Sequence, residues 1–203
     1  MNMWEQIASN ETIEKTITKL QENGIDAILV ETATEAKKEV LSRIHEKVEV
    51  MTMTSMTLEE TGIAVEINES GKYDSVKAKL ATMDRATQGG EMQRIGAAPE
   101  YAIGSVHAVT EDGKVVIASN SGSQLPGYSY GADHVIWVVG AHKIVKDLDS
   151  GLKRVYDYVL PLESERAKNA YGVPGSRVSK LLIFNKEREG RITLIFVKEK
   201  LGY

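Results

Sequence analysis

The stretch SNSGSQLPGYSYG, residues 119–131, is rich in side chains suited to ligand binding. It follows the apolar run KVVIA and precedes DHVIWVVG, so it lies where a predicted strand ends. Glycine lets a ligand approach the backbone, while serine, asparagine and glutamine supply neutral hydrogen-bond donors. The alternative is a polar turn, because turns use the same residue types, and no nucleotide-binding motif is present in the stretch. The candidate ligand residues are Ser119, Asn120, Ser121, Gly122, Ser123 and Gln124.

Residues 53–62, MTSMTLEETG, open a predicted helix after the predicted strand VEVMTM. Ser55 or Thr57 can cap this helix, and Thr57 with Glu60 has the spacing of a capping box. Free backbone N–H groups and the helix dipole favour negative charge at such a position. Two interpretations stay open: a cap alone, or a cap that also binds a ligand oxygen through Ser55 and Thr57.

The segment GAHK, residues 140–143, follows the apolar run DHVIWVVG and precedes a predicted helix. It supplies Gly140 and Lys143 as further candidate ligand residues. Lys143 and Lys146 stand at the predicted start of the helix, where the dipole disfavours a cation. A lysine at this position is explained if it neutralises the negative charge of a ligand.

The turn VHAVTEDG carries the residues best suited to catalysis, His107 and Glu111. They lie four residues apart, so on a continuous strand they share one face. A partly desolvated carboxylate can act as a base or a nucleophile. The alternative is a solvated glutamate in a turn and a packed histidine. The histidines have no metal-ligand spacing, so no metal site is predicted.

Composition excludes several classes of protein. A net charge of −4 at pH 7 argues against nucleic-acid binding, which needs a basic face. The absence of cysteine excludes disulfides, thiolate metal sites and a cysteine nucleophile on this chain. The N-terminus lacks the basic and apolar regions of a signal peptide, and no apolar run is long enough for a membrane span. We expect one cytoplasmic domain over residues 1–203, without a cofactor, and a homodimer if the chain associates.

Hydrophobic periodicity predicts alternating strands and helices. After an N-terminal helical segment over residues 1–22, with Asn10 as a cap, the chain reads strand, helix, strand, helix. This order predicts an α/β fold with a mostly parallel sheet. Residues 101–110 and KVVIASN are predicted to form an antiparallel hairpin across the turn EDG. Gly89-Gly90 is the best candidate for a hinge, and Pro161 is predicted to end the helix that follows GAHK.

Several pieces of the sequence, taken in order, resemble the lactate-utilisation (LUD) domain family. They are TSMTLEETG, AVTEDGKVV, GADHVIWVVGAHKIVKDLDSGLKRV and the closing KLLIFNKEREGRITLIFVKEKLGY, so the resemblance spans residues 10–203. That family is similar in fold to ribose-5-phosphate isomerase, glucosamine-6-phosphate deaminase and the coenzyme A transferases. The resemblance implies a three-layer α/β/α sandwich with a Rossmann-like sheet and a C-terminal hairpin.

The resemblance also implies a role in oxidising lactate to pyruvate beside iron–sulfur oxidoreductase partners. By likeness to the sugar-phosphate enzymes, SNSGSQ and TSMT are ligand loops for a small anion, with Lys143 as the charge partner. In the coenzyme A transferases a glutamate in a Glu-Asn-Gly turn attacks the thioester. Glu111 has a similar place in TEDG, although this chain has Asp where those enzymes have Asn.

Three functional hypotheses therefore stay open. The first is a lactate-utilisation-type protein that binds a small anionic organic acid or phosphate. The second is an isomerase or acyl-transferase-like enzyme that uses Glu111. The third is a non-catalytic interaction module that keeps the fold without the chemistry, because one fold serves many functions.

Overall fold

A six-stranded parallel sheet forms the centre of the computed structural model, which describes residues 2–203. The prediction of a mostly parallel sheet is thereby confirmed. In spatial order its strands are β1 (Asp26–Val30), β10 (Ile192–Val197), β7 (His134–Gly140), β4 (Tyr101–Gly104), β2 (Glu49–Thr52) and β3 (Asp74–Ser75). The central strands β7 and β10 are nearly continuous apolar runs because both of their faces are covered.

A second, four-stranded mixed sheet packs against one face of the parallel sheet. Its spatial order is β8 (Ile144–Val145), β5 (Ala108–Thr110), β6 (Val115–Ser119) and β9 (Lys180–Phe184). Strands β5 and β6 form the predicted antiparallel hairpin, and Gly113 closes its turn with a φ of +81°. The prediction of one strand over residues 101–110 is wrong, because β4 ends in the parallel sheet and residues 105–107 lead to β5 in the other sheet.

The predicted C-terminal hairpin is also wrong. Strand β9 pairs with β6, whereas β10 lies between β1 and β7, so the two C-terminal strands belong to different sheets. The burial of each strand explains this separation. Five of the six residues of β10 are buried, which suits a central strand covered on both faces, whereas two residues of β9 are exposed.

Eight α-helices connect the strands within residues 2–203. They are α1 (Asn10–Glu22), α2 (Ala33–Ser42), α3 (Met56–Glu60), α4 (Ile63–Glu69), α5 (Val76–Ala81), α6 (Arg85–Ala97), α7 (Leu148–Arg154) and α8 (Leu160–Tyr171). Single π-helical turns occupy Gly127–Gly131 and Val155–Val159. In this described part of the chain, no helix has the length and apolarity that crossing a membrane demands.

Three details of the helices differ from the sequence prediction. Ser9, not Asn10, caps α1, because the Ser9 side chain accepts a hydrogen bond from the backbone N–H of Thr12. Gly89 and Gly90 lie inside the continuous helix α6 rather than at a break. Pro161 stands in the first turn of α8 rather than at a helix end, a position where its missing N–H costs no hydrogen bond.

The two faces of the parallel sheet bury different partners. One face packs on α2, α3 and α4, whose inward residues include Val40, Leu58 and Ile63. The other face packs on α1 and the mixed sheet, with Trp137 fully buried between them. Helix α7 covers the far side of the mixed sheet. This arrangement confirms the three-layer α/β/α sandwich, with the mixed sheet as an addition to it.

The end of β4 requires glycine because Tyr128 packs directly on it. A Cβ atom at Gly104 would lie 1.7 Å from the hydroxyl oxygen of Tyr128, a side chain that is itself fully buried. We expect Gly104→Ala to lower the free energy of unfolding by about 1–3 kcal/mol, because an overpacked core must shift. Urea denaturation measures this loss.

The control for this prediction is Gly89→Ala, where no atom lies within 4 Å of the added Cβ. That change, inside α6, is expected to stabilise the protein by up to about 1 kcal/mol through helix propensity. In a Tyr128→Phe background, Gly104→Ala should cost less, because the nearest clashing atom is gone. An equal cost in both backgrounds contradicts the packing explanation.

Candidate ligand cavity

A cavity of about 440 Å³ opens where the two sheets meet. It lies beyond the carboxyl ends of the parallel strands β2 and β4, and Lys143 reaches it from just after β7. Ligands of open α/β sheets bind at this edge. Helix α8 and residues 173–178 form the opposite wall.

Lys143 is the most deeply buried cavity residue that can carry charge, at 1% exposed. Its Nζ atom donates hydrogen bonds to Thr57 Oγ1 at 3.0 Å and to Ser105 Oγ at 3.1 Å. Thr57 in turn donates its own hydroxyl hydrogen to the carbonyl of Leu201 at 3.1 Å. The amine is therefore held by neutral hydroxyl groups, and among the described residues it forms no ion pair.

Three further basic side chains, His107, His142 and Arg154, lie near Lys143. Arg154 is fully buried and donates one hydrogen bond, from Nη1 to the carbonyl of His107 at 2.5 Å, while its Nε and Nη2 have no partner among residues 2–203. Its guanidinium lies 5.1 Å from the ring centre of Tyr158. His142 is 2% exposed, and neither ring nitrogen has a partner within the described chain. We call His107, His142, Lys143 and Arg154 the basic cluster.

Burial lowers the pKa of every member of the basic cluster, and repulsion from neighbouring basic groups adds to the shifts of His107, His142 and Lys143. Desolvation, followed by the charges of Lys143 and Arg154, lowers the pKa of His107 to about 3 and that of His142 to about 2. Desolvation and then Arg154 lower the pKa of Lys143 well below 10.5, with Glu60 opposing the shift. Desolvation lowers the pKa of Arg154 only to about 10, so this residue keeps its charge at neutral pH.

The opposite wall carries an acidic residue whose negative charge is balanced by a neighbouring arginine. Glu163 accepts two hydrogen bonds from Arg166 and one from the Tyr203 hydroxyl, each at 2.7 Å. Burial raises the pKa of Glu163, but the hydrogen bonds from Arg166 and Tyr203 outweigh it, and the pKa is lowered overall. This carboxylate is ionised and paired, and it is the only glutamate or aspartate lining the cavity among the described residues.

The loop after β6 brings polar side chains to the cavity, and several of these side chains also form hydrogen bonds with one another. Ser119 Oγ accepts from the N–H of Gly122 at 2.9 Å and bonds to Gln124 Oε1 at 3.2 Å. Ser121 Oγ and Ser123 Oγ lie 3.1 Å apart. The cavity is lined by Ser119, Asn120, Ser121, Ser123 and Gln124. Gly122 does not line it, and its φ of +86° serves the turn.

The candidate residues at the start of α3 have two different roles. Ser55 lines the cavity and caps α3 by accepting from the N–H of Leu58 at 3.4 Å. Thr57 does not cap, and Glu60 accepts instead from the N–H of Gly202 at 2.7 Å, so the predicted capping box is absent among the described residues. Thr57 acts beneath the cavity surface as a partner of Lys143.

His107 reaches the cavity, but its predicted partner does not. The His107 Nδ1 atom accepts from the N–H of Ala118 at 3.1 Å, which leaves the proton on Nε2. Glu111 lies outside the cavity and pairs with Lys15 at 2.9 Å. Gly140 also lies outside, where a Cβ atom would come within 2.6 Å of His142 Nδ1. Strand β5 covers only Ala108–Thr110, so the turn separates His107 from Glu111, and Glu111 is the turn glutamate of the alternative interpretation.

Sequence reasoning missed Ser105, Arg154, Glu163, Arg166 and Tyr203. Arg154 and Glu163 lie on amphipathic helical segments, where a single charged residue is normally predicted to face solvent. One sequence signal indicated that Arg154 is buried: its neighbours Leu152 and Val155 are apolar and face inward. Within the described residues, no group of three or more His, Asp or Glu side chains is arranged to hold a metal ion.

Comparison with known proteins agrees with this architecture. A family model described as LUD domain matches residues 13–199. A crystal structure of a DUF162 family protein from Deinococcus radiodurans is similar with a TM-score of 0.58 and 11% sequence identity, over 95% of this chain and 99% of the other. At this identity the likeness shows the fold alone. A search of curated proteins finds no match.

Proposed function

Because the chain belongs to the LUD domain family, whose name denotes lactate utilisation, we propose that it binds a small organic acid or a phosphate in the cavity. In this proposal the bound anion is lactate, pyruvate or a related acid, and the protein supports lactate oxidation beside iron–sulfur partners. The absence of cysteine means that any such cluster belongs to a partner.

The observation that carries the proposal is the basic cluster. Four basic side chains lie together in the interior, and none of them forms an ion pair among the described residues. A buried charge without a partner is costly, and a structural arginine or lysine is normally paired. Of the basic cluster, Arg154 keeps its charge at neutral pH, and it has no ion-pair partner among the described residues. An anion in the cavity supplies the missing negative charge, with the amine of Lys143 as its direct contact and Arg154 behind the wall.

The hydroxyl and amide groups of the cavity suit the uncharged part of such a ligand. Ser105, Ser119 and Gln124 can donate to or accept from hydroxyl and carbonyl oxygens. A volume of about 440 Å³ exceeds what a three-carbon acid fills, so phosphorylated acids and acyl thioesters belong among the tested ligands.

Calorimetric titration at pH 7 tests the proposal through binding and proton uptake together. A bound carboxylate raises the lowered pKa of Lys143 towards its ordinary value, so binding of lactate should be accompanied by net proton uptake. Affinity should then fall as pH rises, by up to about tenfold per unit. Titrations in buffers of different ionisation enthalpy measure the uptake.

Two outcomes separate the alternatives. No heat at millimolar lactate, pyruvate, inorganic phosphate, sugar phosphates or coenzyme A esters removes the ligand proposal and favours an interaction module. Loss of binding or turnover in Glu111→Gln favours the enzyme that uses Glu111, although the ion pair of Glu111 with Lys15 outside the cavity gives no support to that role.

A further inference from the structure

We infer that Lys143 is a nucleophilic lysine that forms an imine with the carbonyl carbon of a 2-oxo acid bound in the cavity. This inference rests on the proposed function and adds the ligand class and the reactive atom. It separates pyruvate-like acids, which carry a ketone, from lactate-like acids, which bind through the same carboxylate but cannot form an imine.

The position of the amine is the first argument. Lys143 is 1% exposed, yet it lines the cavity, so a bound ligand approaches its side chain while bulk water is largely excluded. Nucleophilic lysines need such a desolvated site, because an exposed ammonium has no lone pair to donate.

The hydrogen-bond partners of the amine are the second argument. The Thr57 hydroxyl hydrogen is already donated to Leu201, so Thr57 Oγ1 acts as an acceptor for Lys143. With Ser105 Oγ as a second partner, the two N–H bonds of a neutral amine are satisfied and its lone pair is left unused. A lysine with a structural role would instead pair with a carboxylate, and among the described residues this one has none.

Electrostatics point the same way. Desolvation and the charge of Arg154 both lower the pKa of Lys143, so the neutral, nucleophilic form is more populated than in an exposed lysine. Arg154 stays charged, and its field from behind the cavity wall attracts the carboxylate of the acid. The site therefore combines the field of a charged arginine behind the wall, which attracts the carboxylate, with a neutral amine that contacts the ketone of a 2-oxo acid. An acid without a ketone contacts the same amine through its carboxylate.

The step balances without an external reactant. The Nζ lone pair forms a bond to the carbonyl carbon while the C=O π electrons move to oxygen, and the proton lost by nitrogen ends on that oxygen. The resulting carbinolamine loses its hydroxyl group with a proton as water, which leaves a C=N bond to Lys143. Ser105 Oγ, 3.1 Å from Nζ, is placed to relay a proton between nitrogen and oxygen.

Reductive trapping tests the imine directly. The protein is incubated with pyruvate and sodium cyanoborohydride, and tryptic peptides are mapped by mass spectrometry. We expect one adduct, with the mass of the acid less one water plus two hydrogens, on Lys143, formed at least about ten times faster than on any exposed lysine, because each unit of lowered pKa gives tenfold more neutral amine. Equal labelling of the exposed lysines overturns the inference.

Variants of Lys143 and Lys146 separate a loss of the adduct from a loss of folding. Lactate as a second ligand separates failure of the imine from failure of the proposed function. The adduct should vanish in Lys143→Met and Lys143→Arg and persist in Lys146→Met, an exposed lysine three residues away. Binding of lactate without a pyruvate adduct overturns the imine and leaves the proposed function intact. An adduct on Lys143 with no measurable affinity for lactate or phosphate supports the imine and overturns the anion site as proposed.

Discussion

Replacing Lys143 by Met is expected to weaken lactate binding by about ten- to a hundredfold, the loss associated with a hydrogen bond to a charged group. The same change should raise the free energy of unfolding at neutral pH by about 1–2 kcal/mol. Methionine fills a similar volume, and Thr57 keeps its hydrogen bond to Leu201. Weaker binding together with higher stability would show that Lys143 serves ligand binding, because replacing a structural lysine lowers stability.

The pH dependence of the gain in stability follows from the direction of the pKa shift. The pKa of Lys143 is lower in the folded protein than its ordinary value of 10.5, so between the two values the unfolded chain binds more protons. Wild-type stability therefore rises with pH in that interval. The advantage of Lys143→Met should shrink as pH rises towards 10.5 and be largest below the folded pKa.

Urea denaturation at several pH values measures this difference, and calorimetry measures the loss of binding. The control is Lys146→Met, an exposed lysine of the same segment, which should change neither quantity appreciably. A large loss of stability in Lys143→Met means that the lysine supports the fold, and it removes the argument for a functional amine.

The parallel sheet could be predicted because its signals are local. Strands such as DHVIWVVG are apolar runs of the length that a doubly covered strand requires, and the intervening helices have clear amphipathic patterns. Which strands pair is not local. Residues 101–110 looked like one strand because nothing in the sequence marks residues 105–107 as a passage between two sheets.

Several of the residues proposed from the sequence line the cavity, but the sequence argument for Lys143 rested on the wrong local structure. The prediction that Lys143 stands at a helix N-terminus is wrong, because α7 begins only at Leu148 and Lys143 is buried in a 3₁₀ turn. The loop after β6 was found because hydroxyl and amide residues follow a strand. Arg154 and Glu163 were missed because their burial depends on residues distant in sequence.

Arg191 links the fold to the cavity through the π-helical turn Gly127–Gly131. Its side chain is 5% exposed and donates to the carbonyls of Ala132 at 3.0 Å, Gly127 at 3.2 Å and Tyr128 at 2.8 Å. Its Nη1 atom pairs with Glu187 Oε2 at 2.6 Å. The turn held in this way carries Tyr128, which packs on Gly104 and lines the cavity.

Arg191→Met should therefore lower the free energy of unfolding by about 3–5 kcal/mol, since removing one partner of a buried pair leaves Glu187 and several carbonyls unsatisfied. Glu187→Gln keeps an acceptor for the guanidinium and should cost less, roughly 1–2 kcal/mol. Urea denaturation measures both losses, and the exposed Arg188→Met is the control. The position of Tyr128 depends on these contacts. In the Arg191→Met variant, amide hydrogen exchange should therefore accelerate more over residues 127–131 than over helix α1. Equal stability of the Arg191 and Arg188 variants would show that the turn is held by packing alone.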